Sequence, residues 1–172
     1  MHYPVVRVIA IDPAVRKTGY AVIEGDPQKQ TVLDYGVITI PDRIKQSGAL
    51  AAVSTSLSNL IEKFQPDEMA VEGVIYVQNR RTAISMGAAR ASAMIAAGKR
   101  GMNVYEYSPK SVKKAVVGKG TAKKEQVAFM IRALLHLAET PPPDAADALA
   151  IGLAHLSASD PLKASLLERR QV

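Results

Sequence analysis

Four carboxylates in this chain stand where an ionised group needs a reason to be. Asp12 closes Val5-Val6-Arg7-Val8-Ile9-Ala10-Ile11-Asp12, an almost wholly apolar run that reads as a strand buried on both faces. Pro13 stops that strand, which leaves Asp12 at its mouth; the plainer reading is a turn-opening Asp before Pro. Glu72 breaks a second apolar strand, Met69-Ala70-Val71-Glu72-Gly73-Val74, with no turn signal beside it. Asp144 and Asp147 belong to a later helix, and their spacing of three puts both on one face. Asp144 follows three prolines and reads equally well as a helix cap. Asp147 is a charge on a helix apolar nearly all round, and such a carboxylate wants a cation. His155 falls near the same stripe, where a histidine is more often a surface or core residue than a ligand.

Oxygen donors without a single cysteine suit Mg²⁺ acting on phosphodiesters. Two such ions, about 4 Å apart, activate a water and stabilise the leaving oxygen of an in-line displacement. The charge distribution agrees with a polyanionic substrate. Residues 80–132 carry twelve Lys and Arg against two acids, Glu106 and Glu125, although the net charge of the whole chain is only +6. Basic clusters recur there across successive elements, which favours one cationic face meeting nucleic acid over a merely solvated surface. Lys113, Lys114, Lys119, Lys123 and Lys124 cluster on two helix starts and the loop between them, and helix N-termini add their own attraction for phosphate.

The absence of cysteine excludes a disulfide framework and a Cys-ligated metal. No apolar run is long enough to span a bilayer and the N-terminus lacks a signal-peptide pattern, so the default expectation is a soluble, cytoplasmic protein with no membrane contact.

Several elements must position these groups. Strands are predicted over 5–12, 18–24, 31–40, 68–76 and 103–107, and helices over 43–64, 80–100, 109–116, 122–137 and 144–158. Ser108-Pro109 opens the third helix as cap and first residue, and Thr121 is the expected cap of the fourth. Short turns joining the first three strands imply an antiparallel meander, and the later alternation of helix and strand implies an α/β fold. Residues 1–158 read as a single domain, and 159–172 as a polar tail with no evident order.

At this point the chain resembles the RuvC family of Holliday-junction resolvases, within the RNase H-like superfamily. The resemblance rests on Ile11-Asp12-Pro13 with Thr18-Gly19-Tyr20, on Phe64-Gln65-Pro66-Asp67 leading to Val71-Glu72, and on Ala88-Ala89-Arg90. It continues through Val116-Val117-Gly118-Lys119-Gly120 and Asp144-Ala145-Ala146-Asp147-Ala148-Leu149-Ala150-Ile151. It implies an RNase H-like fold with a five-stranded mixed sheet flanked by helices. It implies paired symmetric nicks in four-way junction DNA, leaving 5′-phosphate and 3′-hydroxyl ends, in recombination and repair. Metal ligands follow at Asp12, Glu72, Asp144 and Asp147, holding two Mg²⁺ per subunit with Mn²⁺ as a substitute, and DNA-contacting lysines at Lys113 and Lys124. A homodimer and a RuvA-RuvB-type branch-migration complex are the implied partners.

The chain departs from the family pattern in two places. Ala14 stands where Gly is frequent. Gly73 follows Glu72 where Gln is common, and Ile75 takes the place of an aromatic that stacks at the junction centre, with Tyr76 beside it. Tyr76 and the neighbouring Arg80 and Arg81 are therefore candidates for DNA contact, Tyr76 reading almost as well as a residue packed on the core rim. The helix 80–100 is the candidate dimer contact, through Gly87, Ala88, Ala91, Ser92 and Ala96 with Ile84, Met94 and Ile95; its alternative is packing on the chain's own sheet. Two rivals remain. A junction-binding module that does not cut has no use for four carboxylates. An actin-like ATPase would need a second phosphate-binding hairpin and about twice the length.

Overall fold

The computed structural model describes residues 3–73, 79–164, 167 and 169–172. Its sheet has the order β3-β2-β1-β4-β5-β6. The strands are β1 (Val6–Asp12), β2 (Lys17–Gly25), β3 (Gln30–Thr39), β4 (Glu68–Glu72), β5 (Asn103–Tyr107) and β6 (Arg169–Gln171). β1, β2 and β3 form the antiparallel meander, β4 and β5 run parallel to β1, and β6 returns antiparallel to β5.

The continuous apolar run of β1 has its cause in this order. β1 lies between β2 and β4, and Val8, Ile9, Ala10 and Ile11 are fully buried. Helices α1 (Gln46–Phe64) and α2 (Arg80–Gly98) cover one face, over Ile9, Ile11, Val22, Met69 and Val71. Helices α3 (Pro109–Val117), α4 (Lys124–Leu134) and α5 (Pro143–Ser157) cover the other, over Val8, Ala10, Ala21, Ile23 and Ala70. A short α6 (Pro161–Ala164) follows.

The expected five strands are six. Arg169–Gln171 pairs with Tyr105–Tyr107, and the Arg169 guanidinium lies 3.7 Å from the Tyr105 ring centroid. The strand occupies hydrogen-bonding groups that the β5 edge would otherwise leave open. Three exposed polar residues carry no alternation, so nothing in the sequence announces a strand there. Helix starts also shift. Ser108 caps α3 by accepting from the Ser111 N–H at 3.2 Å. α4 begins at Lys124 rather than Ala122: Thr121 makes no cap, and the Gln126 side chain instead accepts from the Lys123 N–H at 2.9 Å. β4 is described as far as Glu72; Tyr76 and Ile75 lie outside the described residues.

Candidate active site

Asp12 and Glu72 end neighbouring parallel strands, one step beyond the pair Ile11 and Val71. Strand alternation gives Asp12 the face of Val8 and Ala10, and Glu72 the face of Ala70. Both carboxylates therefore point to the side that α5 covers. The turn after Asp12 is closed by Thr18, fully buried, whose hydroxyl donates to the Ala14 carbonyl at 2.5 Å. Ala14 does not have a positive φ, so its methyl group is accommodated without strain.

α5 brings the other two carboxylates. Twelve of its fifteen residues are buried, most of them Ala or another small or aliphatic residue, which lets it lie close against β1 and β2. A Cβ at Gly152 would come within 2.8 Å of the Ile23 side chain, and one at Gly19 within 1.9 Å of the Asp144 carbonyl oxygen. Asp144 stands in the first turn of α5 and Asp147 one turn later; Pro142, not Asp144, occupies the cap position. An acid in the first turn complements the helix dipole.

Asp12, Glu72 and Asp147 share a cavity of about 270 Å³ with Lys113 from α3 and Lys124 from α4. Burial, then Asp147 and Asp144, push the Asp12 carboxyl up to about 6. Burial, then Asp12 and Asp147, push Glu72 up to about 7, and Lys124 and Lys113 oppose the rise. Lys124 Nζ lies 3.0 Å from Asp147 Oδ2, and that hydrogen bond raises the lysine above its ordinary value. Such a cluster of half-buried acids is short of positive charge, and its donors are the hard oxygens that Mg²⁺ prefers. Among the described residues no three acids already converge on one coordination point. With Lys124 turned onto Asp147, a lysine holds the cationic place.

Lys114, Lys119 and Lys123 are exposed beside this cavity and do not line it. Arg80 is exposed at the start of α2, and Arg81 lines a separate groove next to Asp144. In α2, Ser92 and Ala96 turn into the chain's own core with Ala89, Ala93 and Ala97, whereas Ile84, Ala91 and Ile95 are exposed and nothing stands near Gly87. Gly73 lies under Glu106, which pairs with Arg90.

His155 lies outside the cavity. It is 3% exposed, with Nδ1 2.9 Å from the Tyr107 hydroxyl and Nε2 2.7 Å from Glu68 Oε2. The tautomer that satisfies both has Nε2–H donating to Glu68 and Nδ1 accepting from Tyr107. The histidine thus ties α5 to the start of β4 and the end of β5, beneath the strand that carries Glu72. Neither Glu68 nor Tyr107 is evident in the sequence as its partner.

The family model described as "Crossover junction endodeoxyribonuclease RuvC" matches residues 8–155. The protein of that description from Akkermansia muciniphila is 60% identical over 166 residues, which are 96% of this chain and 99% of that one. The one from Halothermothrix orenii is 42% identical over 149 residues, 86% and 90% of the two chains. Among solved structures, T. thermophilus RuvC in complex with Holliday junction substrate superimposes with a TM-score of 0.87 at 29% identity, covering 97% of this chain and 99% of that one. The yeast mitochondrial Holliday junction resolvase shares the fold, with a TM-score of 0.64 at 19% identity over 95% and 83%.

Proposed function

Because the chain belongs to the RuvC family of crossover junction endodeoxyribonucleases, we propose that it resolves four-way DNA junctions through the carboxylate cavity at the ends of β1 and β4. The observation that carries this reading is the meeting of Asp12, Glu72 and Asp147 with Lys113 and Lys124 in one cavity, with Asp144 adjoining. Asp12, Glu72, Asp144 and Asp147 would hold two Mg²⁺, or Mn²⁺ in their place. Bound there, the metal would lower the pKa of a water and neutralise charge on the leaving oxygen. The chain supplies the rest. Buried strand ends fix two carboxylates, and α5 fixes the other two. Lys113 and Lys124 draw the scissile phosphate in and offset its developing negative charge. Lys124 would leave Asp147 as metal and phosphate enter.

One chain carries one such set, and resolution needs two symmetric cuts. A two-fold homodimer meets that need, with the α2 stripe of exposed Ile84, Ala91 and Ile95 and half-buried Gly87 and Ala88 as its contact. A RuvA-RuvB-type branch-migration complex would deliver junctions to it, in the cytoplasm. No helix among the described residues is long and apolar enough to cross a membrane.

The test compares a synthetic four-way junction with linear duplex, with and without Mg²⁺. We expect paired nicks in the junction alone, and only with metal. Asp12→Asn and Glu72→Gln should abolish cutting yet keep junction affinity, or raise it, since negative charge facing phosphate is removed. Near-normal cutting by Asp12→Asn would sink the assignment.

A further inference from the structure

His155 takes no part in lining the carboxylate cavity, yet α5 carries it into a buried polar cluster behind that cavity. Its ring lies 5.3 Å from the Tyr105 ring between centroids and 5.8 Å from the Tyr107 ring, edge-on to the latter. Nε2 meets Glu68 of β4, and Nδ1 meets Tyr107 of β5. Arg169 of β6 closes the cluster: its guanidinium covers the Tyr105 ring and stands 3.9 Å from the same Glu68 Oε2. The proton states of the partners fix the pattern. Burial pushes the Tyr107 hydroxyl above its ordinary value, so it stays protonated and donates to Nδ1. The His155 hydrogen bond, helped by Arg169 and Tyr105, outweighs burial and holds Glu68 below the usual carboxylate range, so Glu68 stays ionised and accepts from Nε2. One planar ring thus makes two directed bonds to two neighbouring strands.

The cluster is placed to set a distance. His155 is eight residues beyond Asp147 on α5, about 12 Å at 1.5 Å per helical residue. Glu68 is four residues before Glu72 on β4, about 13 Å at roughly 3.3 Å per strand residue. Helix and strand therefore form two arms of nearly equal length, tied at one end by His155 and Glu68 and bearing Asp147 and Glu72 at the other. Tyr107 adds a second tie: it is the cross-strand partner of Glu72, and its carbonyl accepts from the Gly73 N–H at 2.9 Å. Between the ties α5 packs through small and aliphatic residues, which hold a helix on a sheet without directing it. A tilt of about 5° at the His155 end carries Asp147 about 1 Å over an arm of about 12 Å. A misplacement of that size costs about 10²-fold in rate.

We propose that His155 and Glu68, steadied by Tyr107 and Arg169, are positioning residues that set the separation of Asp147 from Glu72, and with it the seat for metal between α5 and β4. They act through the carboxylates and not on the substrate, and β6 enters the site's geometry through Arg169 although it lies at the far edge of the sheet. The proposal rests on the junction-resolving reading above and adds to it what holds the two halves of the site in register.

Two readouts on the full chain test it: Mn²⁺ affinity by calorimetry without DNA, and the rate at which saturating protein cuts a bound four-way junction in Mg²⁺. Glu68→Ala should weaken Mn²⁺ binding and slow cutting by about 10- to 100-fold each, the usual cost of losing a group that orients metal ligands, with junction affinity in EDTA unchanged. Glu68→Gln, whose amide oxygen still accepts from Nε2–H, should recover most of both losses. Tyr107→Phe removes one hydroxyl and little volume, and should lose part of both; Arg169→Ala should do the same. Val53→Ala, in the core on the opposite face of the sheet, lowers stability without touching the cluster and should keep the wild-type Mn²⁺ affinity and rate. Wild-type values in Glu68→Ala and Tyr107→Phe overturn the proposal, as does a Glu68→Gln variant no better than Glu68→Ala, or a Val53→Ala variant that loses as much. Wild-type values in Arg169→Ala overturn the part given to β6. A wild type that binds Mn²⁺ but leaves junctions uncut overturns the junction reading itself, while the Mn²⁺ titrations still decide the positioning, so the two failures are told apart.

Discussion

Gly19 and Asp144 meet backbone to backbone: a Cβ on Gly19 would stand 1.9 Å from the Asp144 carbonyl oxygen and 2.5 Å from its carbonyl carbon. β2 therefore admits the start of α5 only because position 19 has no side chain. The obstacle is main chain, not a flexible side chain, so relief requires moving the helix. Gly19→Ala should cost about 1–3 kcal/mol in unfolding free energy, as overpacking does. Because α5 carries both Asp144 and Asp147, the same shift should reduce cutting far more than stability suggests, by about 10²-fold for a displacement near 1 Å. Junction affinity, set by basic side chains on other elements, should stay within a few-fold. Equal losses of affinity and cutting would mean that the glycine serves the fold without serving the site.

Metal-free stability should fall as pH rises. Asp12, ordinarily at 3.8, is pushed up to about 6, and Glu72, ordinarily at 4.5, up to about 7, chiefly by burial. Between the ordinary and the raised values the folded chain binds more protons than the unfolded one, so unfolding free energy declines with pH across that window. For Glu72 the loss is on the order of 3 kcal/mol at most, since each tenfold change in proton affinity is worth about 1.4 kcal/mol. Thermal unfolding in EDTA should show a lower midpoint at pH 8 than at pH 5. Mg²⁺ should raise the midpoint more at pH 8, where the acids it would neutralise are ionised. Glu72→Gln should flatten the pH trend, and an unchanged trend in that variant would place the responsible carboxylate elsewhere.

The legibility of this chain follows from how local each signal is. β1 and α5 are readable because burial on both faces leaves continuous apolar runs, against which Asp12 and Asp147 stand out. The convergence of those acids is not local, and only the order of strands with the small residues of α5 brings it about. His155 shows the opposite case: near the stripe of Asp147 by spacing, it serves a buried link between Tyr107 and Glu68, partners remote in sequence. The small residues of α2 divide for a similar reason. A helix that packs on one side of a sheet buries Ser92 and Ala96 and exposes Ala91, and residue size alone does not say which side is which. β6 escapes because three exposed polar residues show no alternation, and the partners they meet, Tyr105 under Arg169 and Asn103 beside Gln171, are remote in sequence.

Lys113 and Lys124 should act on binding and cutting together. Each lines the cavity, and each opposes the rise at Glu72. Removing one phosphate contact should reduce the salt slope by about one unit, and removing both by about two. Lys124→Ala should also free Asp147 from its 3.0 Å partner, so Mn²⁺ titration of the same variant should show tighter metal binding. Lys114→Ala, exposed outside the cavity, should change binding without a comparable loss of rate on bound junction. A double variant Lys113→Ala, Lys124→Ala with the wild-type salt slope would mark the lysines as a solvated face.

Two symmetric cuts require two active sites held in fixed relation, and α2 offers the surface for it. Ile84 and Ile95 are 71% and 54% exposed, large values for isoleucines on a regular helix. Between them Ala91 is exposed and Gly87 has open space where a Cβ would stand, so a second helix can approach closely along the stripe. Sedimentation at micromolar concentration should give twice the chain mass of 18.4 kDa. Ala91→Trp places a bulky ring on this outward face without touching the core residues Ala89, Ala93 and Ala97, so the fold should survive while the pair separates. Separated chains should nick a junction once or not at all, and the two nicks should lose their coordination in time. A single chain that still makes paired cuts would refute the dimer, and an Ala91→Trp variant that remains paired would move the contact to another face.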